Sequence, residues 1–268
     1  MGVMKIGVVG CAGRMGQMLL REIAATAGCT VAGGTERVGG PALGRDLGVL
    51  AGIDPLGVTA IDDPVALFAE ADAVIDFTSP DATERHAALA AQSETVLVIG
   101  TTGLNPSQQA AIATAATHTA IVQSPNMSLG VNLLLALVEQ VAHALGDDFD
   151  IDILEMHHRR KVDAPSGTAL GLGHAAAAGR GVALEDVWRK VRDGHTGARP
   201  QGEIGFATLR GGDVIGDHTV MFAGDGERIE LTHKASGRQI YAKGAVRAAL
   251  WAQDKTPGLY SMRNVLGL

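Results

Sequence analysis

The side chains most able to do chemistry are concentrated between Glu155 and Ala169, in the order E-M-H-H-R-R-K-V-D-A-P-S-G-T-A. Five cationic or protonatable residues stand in consecutive positions: His157, His158, Arg159, Arg160 and Lys161. Directly after them Ala164-Pro165-Ser166-Gly167 breaks the chain direction, and Thr168-Ala169-Leu170 opens a helix-forming run. Ser166 is a candidate N-cap, and the N–H groups around Gly167 and Thr168 would then form an anion site. A cationic strand end facing a helix N-terminus suits a carboxylate or a phosphate, and the imidazoles add proton transfer near neutral pH. Five such residues in a row also describe a solvated basic turn. The helix start so close behind favours the binding reading.

Elements on either side must position these groups. Phe149 to Leu154 alternates apolar and acidic residues, which predicts a strand with one buried face. A helix is predicted over 168–178, followed by β-rich runs at 205–210, 213–222 and 228–234. Gly211-Gly212 and Gly224-Asp225-Gly226 read as hairpin turns between them. This half is expected to be a substrate domain with an open, mainly antiparallel sheet.

The first half has a different rhythm. Lys5 to Gly10 is a short apolar run of the kind that forms a central parallel strand. It leads into Gly10-Cys11-Ala12-Gly13-Arg14-Met15-Gly16, whose G-x-x-G-x-x-G spacing is a variant of the dinucleotide fingerprint. A second strand over 30–34 ends at Glu36, twenty residues after Gly16, where an acid accepts from an adenosine ribose hydroxyl. Arg37 beside it, with Arg14, suits a 2′-phosphate instead, so both NADH and NADPH stay open.

From Val38 to Gly57 the chain reads as loop, and beyond it strands and helices alternate through Val122, as a doubly wound parallel sheet requires. Ligands in such sheets bind past the carboxyl ends of the strands. Those ends carry Thr78-Ser79-Pro80, Gly100-Thr101-Thr102-Gly103 and Ser124-Pro125-Asn126-Met127, small and hydroxyl residues suited to a nicotinamide ribose and a small substrate. The expected domains are 1–127 with 237–268 for the dinucleotide, and 128–236 for substrate and self-association.

Composition narrows the class. The net charge of −7 and an aromatic content of 3% argue against nucleic acid, which calls for a basic surface and stacking rings. Cys11 and Cys29 form no disulfide framework or zinc spacing, which points to a reducing compartment. The N-terminal apolar run is too short and glycine-broken for a signal peptide. The longest apolar run, Leu129 to Leu145, is interrupted by Asn132, Glu139, Gln140 and His143. A soluble cytoplasmic protein with no membrane span and no bound metal is the expectation.

Taken in order, G-C-A-G-R-M-G, D-F-T-S-P, G-T-T-G, P-N-M-S-L-G-V-N, E-M-H-H-R-R-K-V-D-A-P-S-G-T-A and L-R-G-G-D closely resemble the 4-hydroxy-tetrahydrodipicolinate (dihydrodipicolinate) reductase family of bacterial lysine and diaminopimelate synthesis. The resemblance spans nearly the whole chain, and its H-H-x-x-K-x-D-A-P-S-G-T block is highly specific. It implies His157 as proton donor and Lys161 as second catalytic cation. His158, Gly167, Thr168 and Thr102 would contact a dicarboxylate substrate. Gly10, Cys11, Ala12, Gly13, Arg14, Met15, Glu36, Arg37, Gly100, Thr101, Thr102, Ser124, Pro125, Asn126 and Met127 would line NADH or NADPH. It also implies a homotetramer. Met127 stands where relatives often carry Phe. Another amino-acid-type nicotinamide dehydrogenase shares the first domain but gives no reason for the H-H-x-x-K and P-S-G-T pairing. A non-catalytic nucleotide-binding regulator leaves His157 without a role.

Overall fold

A computed structural model describes residues 2–268, which divide into two compact units, residues 2–128 with Gln239–Leu268 and Leu129–Arg238.

The first unit is built on a seven-stranded, wholly parallel sheet. Its strands are β1 (Met4–Val9), β2 (Cys29–Thr35), β3 (Ala60–Ile61), β4 (Ala73–Asp76), β5 (Val96–Ile99), β6 (Ala120–Gln123) and β12 (Gly258–Tyr260), in the spatial order β12-β6-β5-β4-β1-β2-β3. Short buried runs such as Val-Leu-Val-Ile in β5 follow from helices on both faces, which leave no side of the strand for water. Helices α1 (Arg14–Ala25) and α9 (Gln239–Ala252) pack together on one layer. On the other, α3 (Pro64–Glu70), α4 (Pro80–Ser93) and α5 (Pro106–Ala115) enclose a core of Leu67, Phe68, Val74, Leu97, Ile99 and Ile112. Strand order reverses at β1, which has β2 on one side and β4 on the other, and a crevice for a ligand opens at that switch point.

The segment expected to be loop between Val38 and Gly57 contains a short helix, α2 (Leu47–Ala51), and β3 lies just beyond that segment. The Asp46 carboxylate organises the segment by accepting four backbone N–H groups, from Gly48, Val49, Leu56 and Gly57. Two of these close the helix N-terminus and two reach across the loop. A five-residue helix is too short to show a period, so only its cap marked it.

The second unit has α6 (Leu129–Leu145), β7 (Asp150–His157), α7 (Gly167–Arg180), α8 (Leu184–Val187), β8 (Trp188–Arg189), β9 (Ile204–Arg210), β10 (Gly216–Gly224) and β11 (Glu227–Ala235). The sheet order is β11-β10-β7-β9-β8. It is mixed: the ladders of β10 with β11 and β10 with β7 are antiparallel as expected, while β9 pairs with β7 and the short β8 with β9 in parallel. The alternation of β7 sends Ile151 and Ile153 into a core with Leu134 and Val138 of α6, Leu172 and Ala176 of α7, and Val220 and Phe222 of β10. Helix α6 with the 3-10 turn that follows it, Leu129–Asp148, is long and apolar enough to cross a membrane by length and composition, yet its Leu134, Val138 and Ala142 belong to this core.

Asp225-Gly226 closes the β10–β11 hairpin, with Gly226 at φ 83°. Gly211-Gly212 is not a hairpin turn. It joins strands on opposite sides of β7, so the connection passes across the end of that strand. There it pins the basic stretch: Gly211 N–H donates to the His157 carbonyl, His158 N–H to Val214 and Arg159 N–H to Gly212. A hairpin and a crossover both present glycines between two strands, so sequence alone does not separate them. The last elements, β12 beside β6 and α10 (Met262–Leu266) on α9, complete the first unit.

Candidate active site

In the second unit, β7 delivers His157 as its last residue, on the same buried face as Ile151, Ile153 and Glu155. The ring is 8% exposed and its Nδ1 lies 2.6 Å from Glu155 Oε2. Glu155 is fully buried and receives both terminal nitrogens of Arg210, each at 2.8 Å, as well as Ser166 N–H at 3.1 Å. Burial raises the Glu155 pKa, but Arg210, His157 and Ser166 outweigh it and hold the carboxyl below its ordinary range. For His157 burial is the largest effect and lowers the pKa. Glu155 opposes that shift, while Lys161 and Arg210 add to it. Neutral imidazole is therefore favoured.

Ser166 caps α7 as expected, its Oγ accepting from Ala169 N–H at 3.1 Å. Gly167 is exposed and Thr168 half-buried in the first turn of that helix. The Ser166 hydroxyl also meets His218 Nε2 at 3.1 Å, and His218 stacks edge-on against His157 with ring centres 5.1 Å apart. His218 is buried and its pKa is pushed down to about 4, first by desolvation and then by the neighbouring His157. Lys161 lies 2.9 Å from Asp163. The His158 Nδ1 is buried and has no hydrogen-bond partner among the described residues, as is also true of the Nδ1 atoms of His218 and His233. The structure thus brings His157, His158, Lys161 and the α7 N-terminus to one end of the sheet.

Three groups here carried no expected role: Glu155, Arg210 and His218. The signal for Glu155 was its place two residues before His157 on the apolar side of an alternating strand, where an unpaired carboxylate is too costly to bury. Nothing local marked Arg210 or His218 as its neighbours.

In the first unit, Gly10 takes φ 69°, and a Cβ on Gly16 would overlap the Gly10 carbonyl and come within 2.7 Å of the Cys11 Cα. No side chain caps α1 at Gly13, so the N–H groups of the first turn have no side-chain acceptor, as a pyrophosphate site requires. Cys11 is buried, and desolvation, with the Glu36 charge adding, raises its thiol to about 11; it packs against Gly34 of β2. A cavity of about 760 Å³ is lined by Gly10, Glu36, Arg37, Thr78, Arg85 and His86 among others, which brings the first glycine of the loop, though not Cys11 to Met15, together with the candidate ribose and phosphate contacts. Glu36 already accepts from Arg37 N–H at 3.0 Å, and Arg37 is exposed.

Thr102 lines a separate cavity of about 570 Å³ with Thr101, Gly103, Pro125, Tyr260 and Asn264. The Thr101 side chain itself is turned inward. Its hydroxyl contacts Asp76 Oδ1 at 3.3 Å, Thr83 Oγ1 at 2.9 Å and the Thr78 N–H at 3.1 Å. Asp76, fully buried, also holds His86 at 2.8 Å. Gly100 is required by the Phe77 ring, which a Cβ would overlap. Ser124 donates to the Asn126 carbonyl, and Asn126 Oδ1 accepts from Ser128 N–H. The Met127 side chain is buried at 1% exposure, so this residue offers backbone rather than side chain.

Sequence models for the N-terminus and the C-terminus of dihydrodipicolinate reductase match residues 4–127 and 130–266. The chain belongs to the dihydrodipicolinate reductase family. It is 61% identical over 268 residues to 4-hydroxy-tetrahydrodipicolinate reductase 1 of Mesorhizobium japonicum, covering 100% of this chain and 98% of the relative. The enzyme of that name from Methylocella silvestris is 58% identical with the same coverage. A solved dipicolinate-bound dihydrodipicolinate reductase from Paenisporosarcina aligns over 97% of both chains with a TM-score of 0.77 at 22% identity, so the fold is shared. An amine dehydrogenase from Mycobacterium smegmatis aligns over 96% of this chain and 95% of its own at 13% identity and a TM-score of 0.58, so fold alone does not choose the reaction. Dihydrodipicolinate reductases use NADH or NADPH, held by the N-terminal domain. The uncapped α1 start and the Gly10–Gly16 cradle, which any Cβ at Gly16 would fill, fit that cofactor.

Proposed function

We propose that this reductase converts 4-hydroxy-tetrahydrodipicolinate to tetrahydrodipicolinate, the 4-hydroxyl leaving as water to give the conjugated dihydrodipicolinate ring that hydride and proton then reduce, with His157 as the proton donor. The observation that carries the assignment of roles is the buried His157 ring, anchored through Nδ1 by Glu155 beside the Ser166-capped start of α7. Bound NADH or NADPH supplies the hydride, which no side chain can. Lys161 and the N–H groups of Gly167 and Thr168 hold the substrate carboxylates and stabilise the negative charge that develops as hydride adds. His158 and Thr102 contact the ring. His157 then protonates the carbon adjacent to the one reduced.

The binding of a dianion opposes the burial that depresses the His157 pKa, so the donor form gains population as substrate arrives. The cofactor contacts fall to the backbone of Gly10 to Met15, Gly100 to Thr102 and Ser124 to Met127, with Glu36 on the ribose and Arg37 on a 2′-phosphate. We place the enzyme in the cytoplasm as a homotetramer. Supporting self-association, the sheet face away from α6 and α7 carries Leu154, Met156, Leu209 and Met221, and Leu209 is 48% exposed.

The test is to mix purified protein with NADPH and freshly made product of the preceding aldol step, and to follow the absorbance of the reduced nicotinamide. Substrate-dependent oxidation is expected. Cofactor binding without oxidation would leave a nucleotide-binding regulator as the better reading.

A further inference from the structure

We propose that Glu155 is a positioning residue that, clamped by Arg210, fixes His157 as the Nδ1–H tautomer, so that Nε2 carries and delivers the proton. The same carboxylate ties that imidazole to the start of the carboxylate-binding helix. The inference rests on reading His157 as the proton donor.

Every acceptor position of Glu155 is taken. Oε2 receives His157 Nδ1 and Arg210 Nη1, while Oε1 receives Arg210 Nη2, the Ser166 N–H and, at 3.4 Å, the Thr208 hydroxyl. A carboxylate so occupied and fully buried is not the acid or base of the reaction itself. An ionised carboxylate only accepts, so the hydrogen between it and the imidazole belongs to Nδ1. That leaves Nε2 as the working nitrogen. Clearance beside it is kept by Gly216, where a Cβ would stand 3.0 Å from Nε2. Arg210 is itself fixed, donating to the Asp163 and Leu209 carbonyls at 2.7 and 2.6 Å. Metal-ligating histidines that must present one nitrogen are held through the other in this way, and losing that outer partner typically costs ~10- to 100-fold in metal affinity or activity.

The groups that face the ring are Glu155 on β7, Lys161 beyond its end, Arg210 on β9 and His218 on β10. Glu155 is the acidic member of that set, since Asp163 is engaged by Lys161. Removing its charge therefore depopulates the imidazolium that donates, in addition to freeing the ring to turn. Ser166 links the two parts of the site, since its N–H reaches Glu155 while its hydroxyl caps α7.

Nitrogen NMR of the wild-type His157 ring should show Nδ1 protonated and Nε2 bare above its pKa. The opposite tautomer would overturn the proposal, and this arm needs no variant. In Glu155→Gln the alkaline limb of the kcat/KM–pH profile should move about one unit to lower pH, a roughly tenfold loss on that limb. The KM for NADPH should stay unchanged. A purely structural role would lower the melting temperature and leave the limb where it is; a folded Glu155→Gln enzyme with an unmoved limb refutes the assignment. His157→Gln separates the two levels. Its inactivity with an unmoved Glu155→Gln limb removes the Glu155 role alone, whereas full turnover in His157→Gln removes the donor reading beneath it.

Discussion

The two units build their sites from opposite materials. The nucleotide crevice of the first is made of backbone: Gly10 at positive φ, an uncapped helix start at Gly13, and strand-end turns whose hydroxyls are spent inward, Thr101 on Asp76 and Ser124 on Asn126. The site of the second is made of ionisable side chains packed around one buried carboxylate, with His157, Arg210 and the Ser166 N–H converging on Glu155. A pyrophosphate needs many aligned dipoles and no proton transfer, so shape suffices. Proton delivery needs a group whose charge changes, and that group must be oriented by others whose charge does not.

The contrast can be broken from either side, and the largest effect belongs to the side-chain site. His157→Gln should lower turnover by roughly 100- to 10,000-fold, while the dissociation constant for NADPH, measured by nicotinamide fluorescence, stays as it was. Normal turnover would remove the chemistry from this unit.

Gly16→Ala attacks the backbone site. Its Cβ meets the Gly10 carbonyl and the Cys11 Cα, so the loop must shift. Overpacking of this kind costs about 1–3 kcal/mol, and we expect NADPH affinity to fall about tenfold or more with melting temperature reduced. Unaltered affinity would mean that the cradle does not hold the pyrophosphate.

A third test concerns pH. His218 titrates near 4 in the folded protein against 6.5 when free, because burial disfavours its cation. A depressed pKa gives stability that is complete above 6.5 and is lost as pH falls toward 4, by roughly 3 kcal/mol for this group at most. Denaturant melts across that window should show a decline that His218→Gln flattens. An equal slope in the variant would assign the loss to other groups.

The smallest effect should come from Glu36→Ala, which we expect to weaken NADH several-fold and NADPH less. Equal losses would contradict a ribose contact.

Much of this was legible along the chain. The apolar runs and their spacing give the βα alternation of the first unit, and α6 runs from Leu129 to Leu145 as its apolar stretch does. Ser166 caps α7 as its position before Gly-Thr indicates. The short helix at Leu47–Ala51 escaped because five residues show no period, and its organiser, Asp46, reaches Leu56 and Gly57 across the loop.

Sequence by itself determined the family, the nucleotide loop and the cluster His157-His158-Lys161, because each is written in contiguous residues whose chemistry depends on local spacing. Only the tertiary structure decided what surrounds that cluster. Arg210 lies 55 residues from the carboxylate it clamps, and His218 lies 52 from the hydroxyl it meets. Whether those residues come together depends on strand order, with β9 and β10 flanking β7 on opposite sides. A strand's own alternation states which face is buried and not which strands lie beside it. Glycines at 211 and 212 fit a hairpin or a crossover equally well until the hydrogen-bonded neighbours of β7 are known.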